Sequence, residues 1–579
     1  MSFTGGGSPH VLRDYALLAD GERAVVLGPE GDVAWLCAPG WDGDAVFAGL
    51  LGGGGAYALC PVERYVWGGA YEDGTLTWRT RWTTASTVSE CRQALAVPVD
   101  PRCAVLLRRV EALDGDVVLD VVLDVRGSAG RHRSRDVRRD EAGTWSGRTD
   151  GGLRWRWQGA PDAHLDADGA LRATLHVDAG SARDLVLEIG DALPARPVRA
   201  DAAWSATEAD WRGAVPDMAN TVAPRDARTA YAVLRGLTSS THGMVAAATT
   251  SLPESVQGGK DYDYRYAWIR DQCYAGAADA AVGGTVLLGS AVEFVTGRLL
   301  EDGDRLKPAY TVSGGPVPPE ADMGLVGYPG SRTVAGNRAR SQFQLDSFGE
   351  VLALLAAGAT ADLLTAEHWR AVDVAVAAIA EHWDQDEAGL WEVEPDWWVH
   401  SRLACVSGLR AIAKVQRPAD APALLTLADT IMARTGAIGV HPDGFWRRSP
   451  GNEHTDAALL MGAVRGGVPR DDPRTVATID AVRRTLTEDG YVYRFRHDGR
   501  PLGESEGAFL LCGFMMALAT HQQGDTVEAF RWFERNRAAA GSPGLFCEEF
   551  DVRQRQLRGN LPQAFVHALM LETSVALAR

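Results

Sequence analysis

Two hydrophobic periods divide the chain. Up to about residue 205 the apolar residues come in short β-branched or aromatic runs: RAVVLGPEGDVAWLC, GTLTWRTRWTT, CAVLLRRVEALDGDVVLDVVLDV, GLRWRWQG and ALRATLHVDAG. Gly and Asp turns separate them at the spacing of a β-sandwich. The stretch RGSAGRHRSRDVRRDEAG, residues 126–143, interrupts the series, and so dense a charge run predicts a solvated loop. Beyond about Arg225 the Ala, Leu and Val spacing changes to the helical repeat. It predicts about twelve helices, at 227–240, 270–282, 285–300, 341–358, 366–383, 400–416, 419–435, 455–464, 473–487, 507–522, 525–540 and 561–578. Twelve antiparallel helices can close as six hairpins, with alternate members forming an inner and an outer ring. The organisation implied is a β-sandwich domain at 1–210, a linker at 211–225 and an all-α domain at 226–579. Two domains also suit the length, since a single core stops growing at roughly 250–300 residues.

The order of the unusual segments adds to this picture. GGKDYDYRYAWIRD leads into the second predicted helix, GYPGSRTVAGN precedes the fourth, and GLWEVEPDWWVH the sixth. GNEHTD precedes the eighth, GESEG the tenth, and CEEFDVRQRQLRGN the twelfth. All six lie before an even-numbered helix, so in an alternating double ring they converge on one mouth. Loops gathered at one end of a rigid scaffold are the usual place for a site.

Composition narrows the classes. The chain is 46% hydrophobic and 23% charged, with a formal net charge of −18. That charge repels nucleic acid and anionic membrane, and is neutral toward an uncharged small molecule. The first twenty residues lack a basic segment followed by an apolar one, and no apolar run reaches membrane-spanning length, so a cytoplasmic protein is expected. Eight scattered cysteines without CxxC or Cys/His clusters read as free thiols, and neither a metal site nor a cofactor is implied. P-loop, GxSxG, HExxH and dinucleotide fingerprints are absent, and the glycine run at 52–57 reads as a turn or linker.

Three loops combine aromatic and ionisable residues. The first offers Tyr264, Trp268, Arg270 and Asp271. Adjacent Arg and Asp can make planar hydrogen bonds to neighbouring hydroxyls, and an aromatic face suits the apolar face of a sugar ring. The competing reading is an ordinary Asp cap beside a surface Arg. The second loop places Glu392 directly after Trp391, with Glu394, Asp396, Trp397, Trp398 and His400 following. An aromatic neighbour takes a carboxyl out of water, which favours a general acid. The third carries the doubled carboxylate Glu548-Glu549. Two carboxyls from separate loops meeting across one pocket are the arrangement of glycoside hydrolysis.

These residues carry a family resemblance. The chain resembles the bacterial branch of glycoside hydrolase family 15, the glucoamylase, glucodextranase and trehalase-like enzymes. The likeness runs from RDYALLADGERAVVLGPEGDVAWLC through DYDYRYAWIRD, GYPGSRTVAGN, QFQLDSFGE, GLWEVE and EGAFLLCGF to EEFD and GNLPQAFVHALML. It implies an N-terminal β-sandwich followed by an (α/α)6 barrel. It implies Glu392 as general acid and Glu548 as base, leaving Glu549 a structural part. Tyr264, Arg270 and Asp271 match residues that hold the non-reducing-end glucose, and Trp391 matches a Trp lining the same pocket. Trp268, Trp397, Trp398 and Arg332 complete the expected substrate-binding set. The implied reaction inverts the anomeric centre and releases β-glucose from a small α-glucoside.

After the acid the chain departs from trehalase-like members, which usually carry WEVRG.P where this chain has WEVEPDWW. That departure shifts the expectation toward short isomaltose- or maltose-type oligosaccharides. The α,α-trehalase reading is the alternative, and linkage, oligomeric state and any phosphate or divalent-ion requirement stay open. Phosphorolysis, in which phosphate replaces the base, sits badly with the presence of Glu548. A non-catalytic glucan-binding protein sits badly with both glutamates.

Overall fold

The computed structural model describes residues 9–255, 259–415, 420–497 and 500–579. The first eight residues, Gly258 and the predicted helix ends at 416 and 419 lie outside that set. The N-terminal part is strand-rich. A four-stranded antiparallel sheet is formed by Ala16–Ala19, Ala24–Leu27, Val33–Ala38 and Asp44–Phe47. A second four-stranded sheet runs in the order His164–Leu165, Leu171–Val177, Val117–Asp124 and Ala56–Pro61. An eight-stranded sheet has Ala182–Gly190 and Cys103–Asp114 at its centre. These two sheets share one core, in which Tyr57, Leu119 and Val121 of one meet Trp82, Leu106, Val110 and Trp157 of the other. The Trp157 indole donates to the Tyr57 hydroxyl at 3.1 Å and the rings meet edge-on, satisfying a polar atom inside an apolar layer.

The charged stretch at 126–143 differs from the loop its composition predicts. Arg126–Gly127 pairs with His132–Arg133, and Arg135–Arg139 is the edge strand of the eight-stranded sheet. The side chains along that edge strand stay mostly exposed, so charge here covers a sheet margin.

The first sheet explains why RAVVL and ALLA read as unbroken apolar runs. Ala16, Leu18, Val25 and Leu27 join the core shared by the second four-stranded sheet and the eight-stranded sheet, while Leu17, Ala19, Ala24 and Val26 join the core of the helical part. Both faces are covered, so alternation disappears.

The helices are α1 (Ala200–Ala214), α2 (Pro224–Leu237), α3 (Ile269–Val282), α4 (Val286–Asp302), α5 (Asp346–Thr360), α6 (Ala366–His382) and α7 (Val399–Val415). They continue with α8 (Ala421–Ile438), α9 (Met461–Val464), α10 (Pro473–Thr485), α11 (Leu510–Gln522), α12 (Thr526–Arg537) and α13 (Ala564–Ala576). From α2 onward they fall at the twelve predicted places. The eighth is a 3-10 turn, Ala457–Leu460, followed by the single turn α9. Helix α1 has no counterpart among the predicted helices. It crosses residue 210 into the expected linker and packs Trp204 onto the back of the eight-stranded sheet, against Ala94, Leu107 and Val186.

Helix α3 packs on α5, α5 on α7, α7 on α9, α9 on α11, α11 on α13, and α13 back on α3. Outside this circuit α4 packs on α3, α6 on α5, α8 on α7, α10 and α12 on α11, and α2 on α13. Side chains decide who stands where. Helix α11 is apolar on all sides and buried from Leu510 to Thr520, whereas α12 buries only Ala529, Trp532, Phe533 and Asn536, one stripe at helical spacing. The α5–α7 contact is closest. A Cβ on Gly349 would lie 2.4 Å from the Ala404 backbone, and one on Gly408 would lie 2.2 Å from the Gly349 carbonyl oxygen.

Candidate active site

The loops ahead of α3, α5, α7, α11 and α13 surround a cavity of about 660 Å3. Glu392 and Glu548 both line it, together with Tyr264, Trp268, Arg270, Asp271 and Trp391. Residues far apart in sequence are brought to one wall because each precedes a helix of the inner circuit.

Glu392 accepts a hydrogen bond from the Trp268 indole N–H at 2.7 Å, and Arg270 Nη2 stands 3.5 Å from the same oxygen. The aromatic that touches this carboxyl is therefore Trp268. The chain neighbour Trp391 points its N–H to Asp456, at 2.9 and 3.0 Å from the two oxygens. Asp456 belongs to the GNEHTD loop, which thus contributes from behind the wall. Glu392 itself has φ +54°, a left-handed backbone that a β-carbon disfavours. Such a residue persists only where its surroundings over-determine it. They do so through Glu387, fully buried, which pairs with Arg402 at 3.1 Å and accepts from the backbone N–H of Leu345 and Gly389. Burial and the nearby Asp346 push Glu387 up to about 7.

Glu548 is buried, and the Tyr264 hydroxyl lies 3.0 Å from its Oε2. Burial and nearby carboxyls hold Tyr264 well above the usual phenol range, so it stays neutral and can donate. Its ring meets Trp268 edge-on at 5.4 Å, linking the Glu548 side of the cavity to the Glu392 side. The neighbouring Glu549 faces away. Its Oε2 accepts from the Gly507 N–H at 2.6 Å and its backbone pairs with Phe509 and Arg558, so it anchors the short sheet that presents Glu548. The doubled carboxylate straddles the start of the strand Glu549–Asp551: Glu548, just ahead of it, faces the cavity, and Glu549, its first residue, does not.

Arg270 and Asp271 are buried on the cavity wall. Arg270 Nη1 reaches Gln344 at 2.8 Å and Asp346 at 3.3 Å, while Arg270 Nε and Asp271 Oδ1 have no protein partner. Unpartnered buried polar atoms on a cavity wall are suited to ligand hydroxyls. Burial pushes Asp271 up to about 7, against the lowering effect of Arg270.

Three expected substrate contacts lie elsewhere. Trp397 is buried behind the loop, donating to Asp384 at 3.1 Å with the Arg402 guanidinium 4.3 Å over its ring. Trp398 lines a separate small cleft and stacks under Arg448. Arg332 is exposed and off the cavity wall, and its backbone N–H donates to Asp261. Of the departure after the acid, Glu394 and Pro395 reach the cavity wall and the two Trp do not. The loop at 39–44 is also off the wall. The Trp41 carbonyl accepts from Arg265, whose other side holds Asp263 at 2.7 Å, and this bracket fixes the backbone on either side of Tyr264.

Sequence reasoning missed Glu254 and Arg494. Both line the cavity; Glu254 stands in SLPES, which has no aromatic, whereas Arg494 lies between Tyr493 and Phe495 in YVYRFRH. Arg494 is tied to Glu506 through two of its nitrogens, Nε at 2.9 and 3.0 Å from the two oxygens and Nη2 at 2.6 Å. Among the described residues the one group with metal-ligand spacing is Asp304, Glu381 and His382, which is largely exposed and off the cavity wall. All eight cysteines are free and buried.

The family model for glycosyl hydrolases family 15 matches residues 232–575, and a model described as trehalase-like, N-terminal matches 2–118. A trehalase of Mycobacterium tuberculosis is 31% identical over 98% of this chain and 90% of its own length. An isomaltose glucohydrolase of Kribbella flavida is 29% identical over 46% of this chain and 70% of its own. In fold, a bacterial glucoamylase solved with acarbose superposes with a TM-score of 0.71 at 13% identity, covering 99% of this chain and 94% of that one. With its two glutamates on one cavity wall, the chain belongs to the glycosyl hydrolases of family 15 and is a glycosidase.

Proposed function

We propose that the protein is an inverting, exo-acting α,α-trehalase. One observation carries the substrate choice: the likeness to a trehalase extends over nearly the whole of both chains, N-terminal part included. The sequence argument for isomaltose rested on Glu394, Trp397 and Trp398 reshaping the leaving-group subsite, and both Trp stand off the cavity wall. The isomaltose reading keeps one support in Glu394, which does line the wall, and another in the partial likeness to the Kribbella flavida enzyme.

In the mechanism, Glu548 removes a proton from a water that attacks C1 of the bound glucosyl unit. Glu392 donates its proton to the departing glycosidic oxygen. The C1–O bond to the leaving glucose breaks as the bond to water oxygen forms, so the attacked unit leaves as β-glucose and the other retains its α configuration. Tyr264 orients the base, Trp268 orients the acid, and the free valences of Arg270 and Asp271 take ring hydroxyls. We read the helical circuit as an (α/α)6 barrel behind a β-sandwich, with the division at 1–210, 211–225 and 226–579. Eight buried free thiols suit a cytoplasmic setting.

Glucose release from trehalose, isomaltose and maltose tests the reading. Trehalose is expected to be cleaved with the highest kcat/KM, and exclusive cleavage of isomaltose would reject it. Glu392→Gln and Glu548→Gln are each expected to lower kcat at least ~10²-fold without lowering the unfolding temperature. Near-normal turnover in either variant removes that residue from its role.

A further inference from the structure

Glu254 shares the Tyr264 hydroxyl with the candidate base and is assigned to no step above. It comes from SLPES, a segment pinned beside the Glu548 segment by Asn560. The Asn560 amide oxygen accepts from Thr249, and its NH2 donates to the Tyr262 carbonyl. Gly559, at φ +85°, lies between the two carboxyls, and a Cβ there would sit 3.3 Å from Glu254 Cγ and 3.6 Å from Glu548 Cβ.

The arrangement is short of protons and of cations. Tyr264 Oη stands 3.1 Å from Glu254 Oε1 and 3.0 Å from Glu548 Oε2, with one hydrogen for two oxygens. Two ionised carboxyls sharing that one hydrogen would repel each other, so the pair holds a further proton. The cations nearby are committed: Arg494 makes its double contact with Glu506, and Lys260 Nζ reaches the same Glu506 at 2.7 Å. The titratable groups facing Glu254 are thus Glu548, Glu549, Tyr262, Tyr264 and Arg494. Burial and the adjoining carboxyls hold Glu254 well above the usual carboxylate range, so it is the member that carries the proton.

Glu254 also spans a wall. Behind it lies a second cavity of about 200 Å3, bounded by Glu506, Asp551, Arg553 and Arg558, and among the described residues Glu254 alone lines both spaces. We propose that Glu254 is the proton-relay residue of the site, clearing from Glu548 the proton taken from water in each turnover and releasing it on the side of the second cavity. The proposal rests on the hydrolase reading above and adds a step to it. The step balances. In the resting state Glu254 is protonated and Glu548 ionised. After attack Glu548 holds the proton of the nucleophilic water. Glu254 then loses its own proton to solvent through the second cavity, and the Glu548 proton moves across to Glu254, restoring both. One proton leaves per bond cleaved, while Glu392 recovers the one it gave from solvent on the substrate side.

The test separates chemistry from reset. In Glu254→Gln the amide keeps a hydrogen-bond donor beside Glu548 and Tyr264 but cannot pass a proton. On whichever disaccharide the native enzyme cleaves, this variant is expected to form its first equivalent of glucose at a rate within ~2-fold of native, then to slow at least ~10-fold in steady state with KM within ~2-fold. Glu254→Asp, which can still relay, is expected to recover much of the steady-state rate, and it serves as the working variant if the Gln form fails to fold. A native steady-state rate in Glu254→Gln would overturn the proposal. So would equal slowing of the first and later turnovers, which is the signature of a purely positioning residue. If the native enzyme releases glucose from no α-glucoside, the hydrolase reading itself falls, and that result is distinct from either.

Discussion

Glu392 sits in a backbone conformation that costs on the order of 1–3 kcal/mol for a residue with a side chain. The cost is met by the buried Glu387–Arg402 pair and by the indole hydrogen bond from Trp268. The pairing of Trp268 with Glu392, the proposed acid, also makes a residue-scale prediction. Trp268→Phe keeps the ring and removes the donor, so kcat is expected to fall about 10-fold with little change in KM. Trp397→Phe removes a donor that serves Asp384 behind the wall, so KM for the same substrate is expected to stay within about 2-fold. A large KM rise in Trp397→Phe would return that Trp to the substrate.

At the scale of elements, the segment that carries Glu548 into the strand Glu549–Asp551 is held by the last helix. The Phe546 N–H donates to His567 Nε2 at 3.2 Å, and the Gln563 N–H donates to the Phe546 carbonyl at 2.8 Å. His567 is fully buried on α13, and burial lowers it from 6.5 to about 3. The native state therefore keeps it neutral while the unfolded chain protonates it below about 6.5. Its contribution is intact at neutral pH and is lost as the pH falls from 6.5 toward 3. His567→Gln, whose amide oxygen can accept the same N–H, is expected to flatten that dependence by about 2 kcal/mol between pH 7 and pH 5. Parallel stability curves for the two proteins would contradict the assignment. Buried carboxyls such as Asp271 work in the opposite direction, so the difference between the two curves is the informative quantity.

Much of the element level was legible in the sequence. The inner helices were readable because a helix covered on all sides shows apolar residues on all sides, as in LLCGFMMALA. Helix α1 was not, since its repeat is weak: Trp204, Thr207 and Trp211 are its only buried side chains, and the segment follows a run of strands. The charged edge strand at 135–139 was also hidden, because exposed side chains on both faces remove the two-residue alternation.

For the whole molecule, a net charge of −18 surrounds a site with several buried acids, which suits a neutral sugar and excludes an anionic polymer. The convergence of distant loops followed from helix order. Glu392, Glu548, Tyr264, Trp268, Arg270, Asp271 and Trp391 meet at one cavity because each loop enters the inner circuit from the same end. What escaped the sequence was which neighbours turn inward. Trp397 and Trp398 follow the acid closely in sequence yet pack behind the loop, under Arg402 and Arg448. Glu254 is nearly three hundred residues from Glu548 yet shares the Tyr264 hydroxyl with it, because Asn560 ties its segment to the Glu548 loop.

The central claim is that Glu548 activates a water while Glu392 protonates the leaving group across one cavity. The most direct measurement is the proton NMR spectrum of the glucose formed from α,α-trehalose before mutarotation. The account predicts β- and α-glucose in equal amounts at the earliest times, one from the attacked unit and one from the leaving unit. Formation of α-glucose alone would mean retention at the attacked carbon and would contradict it.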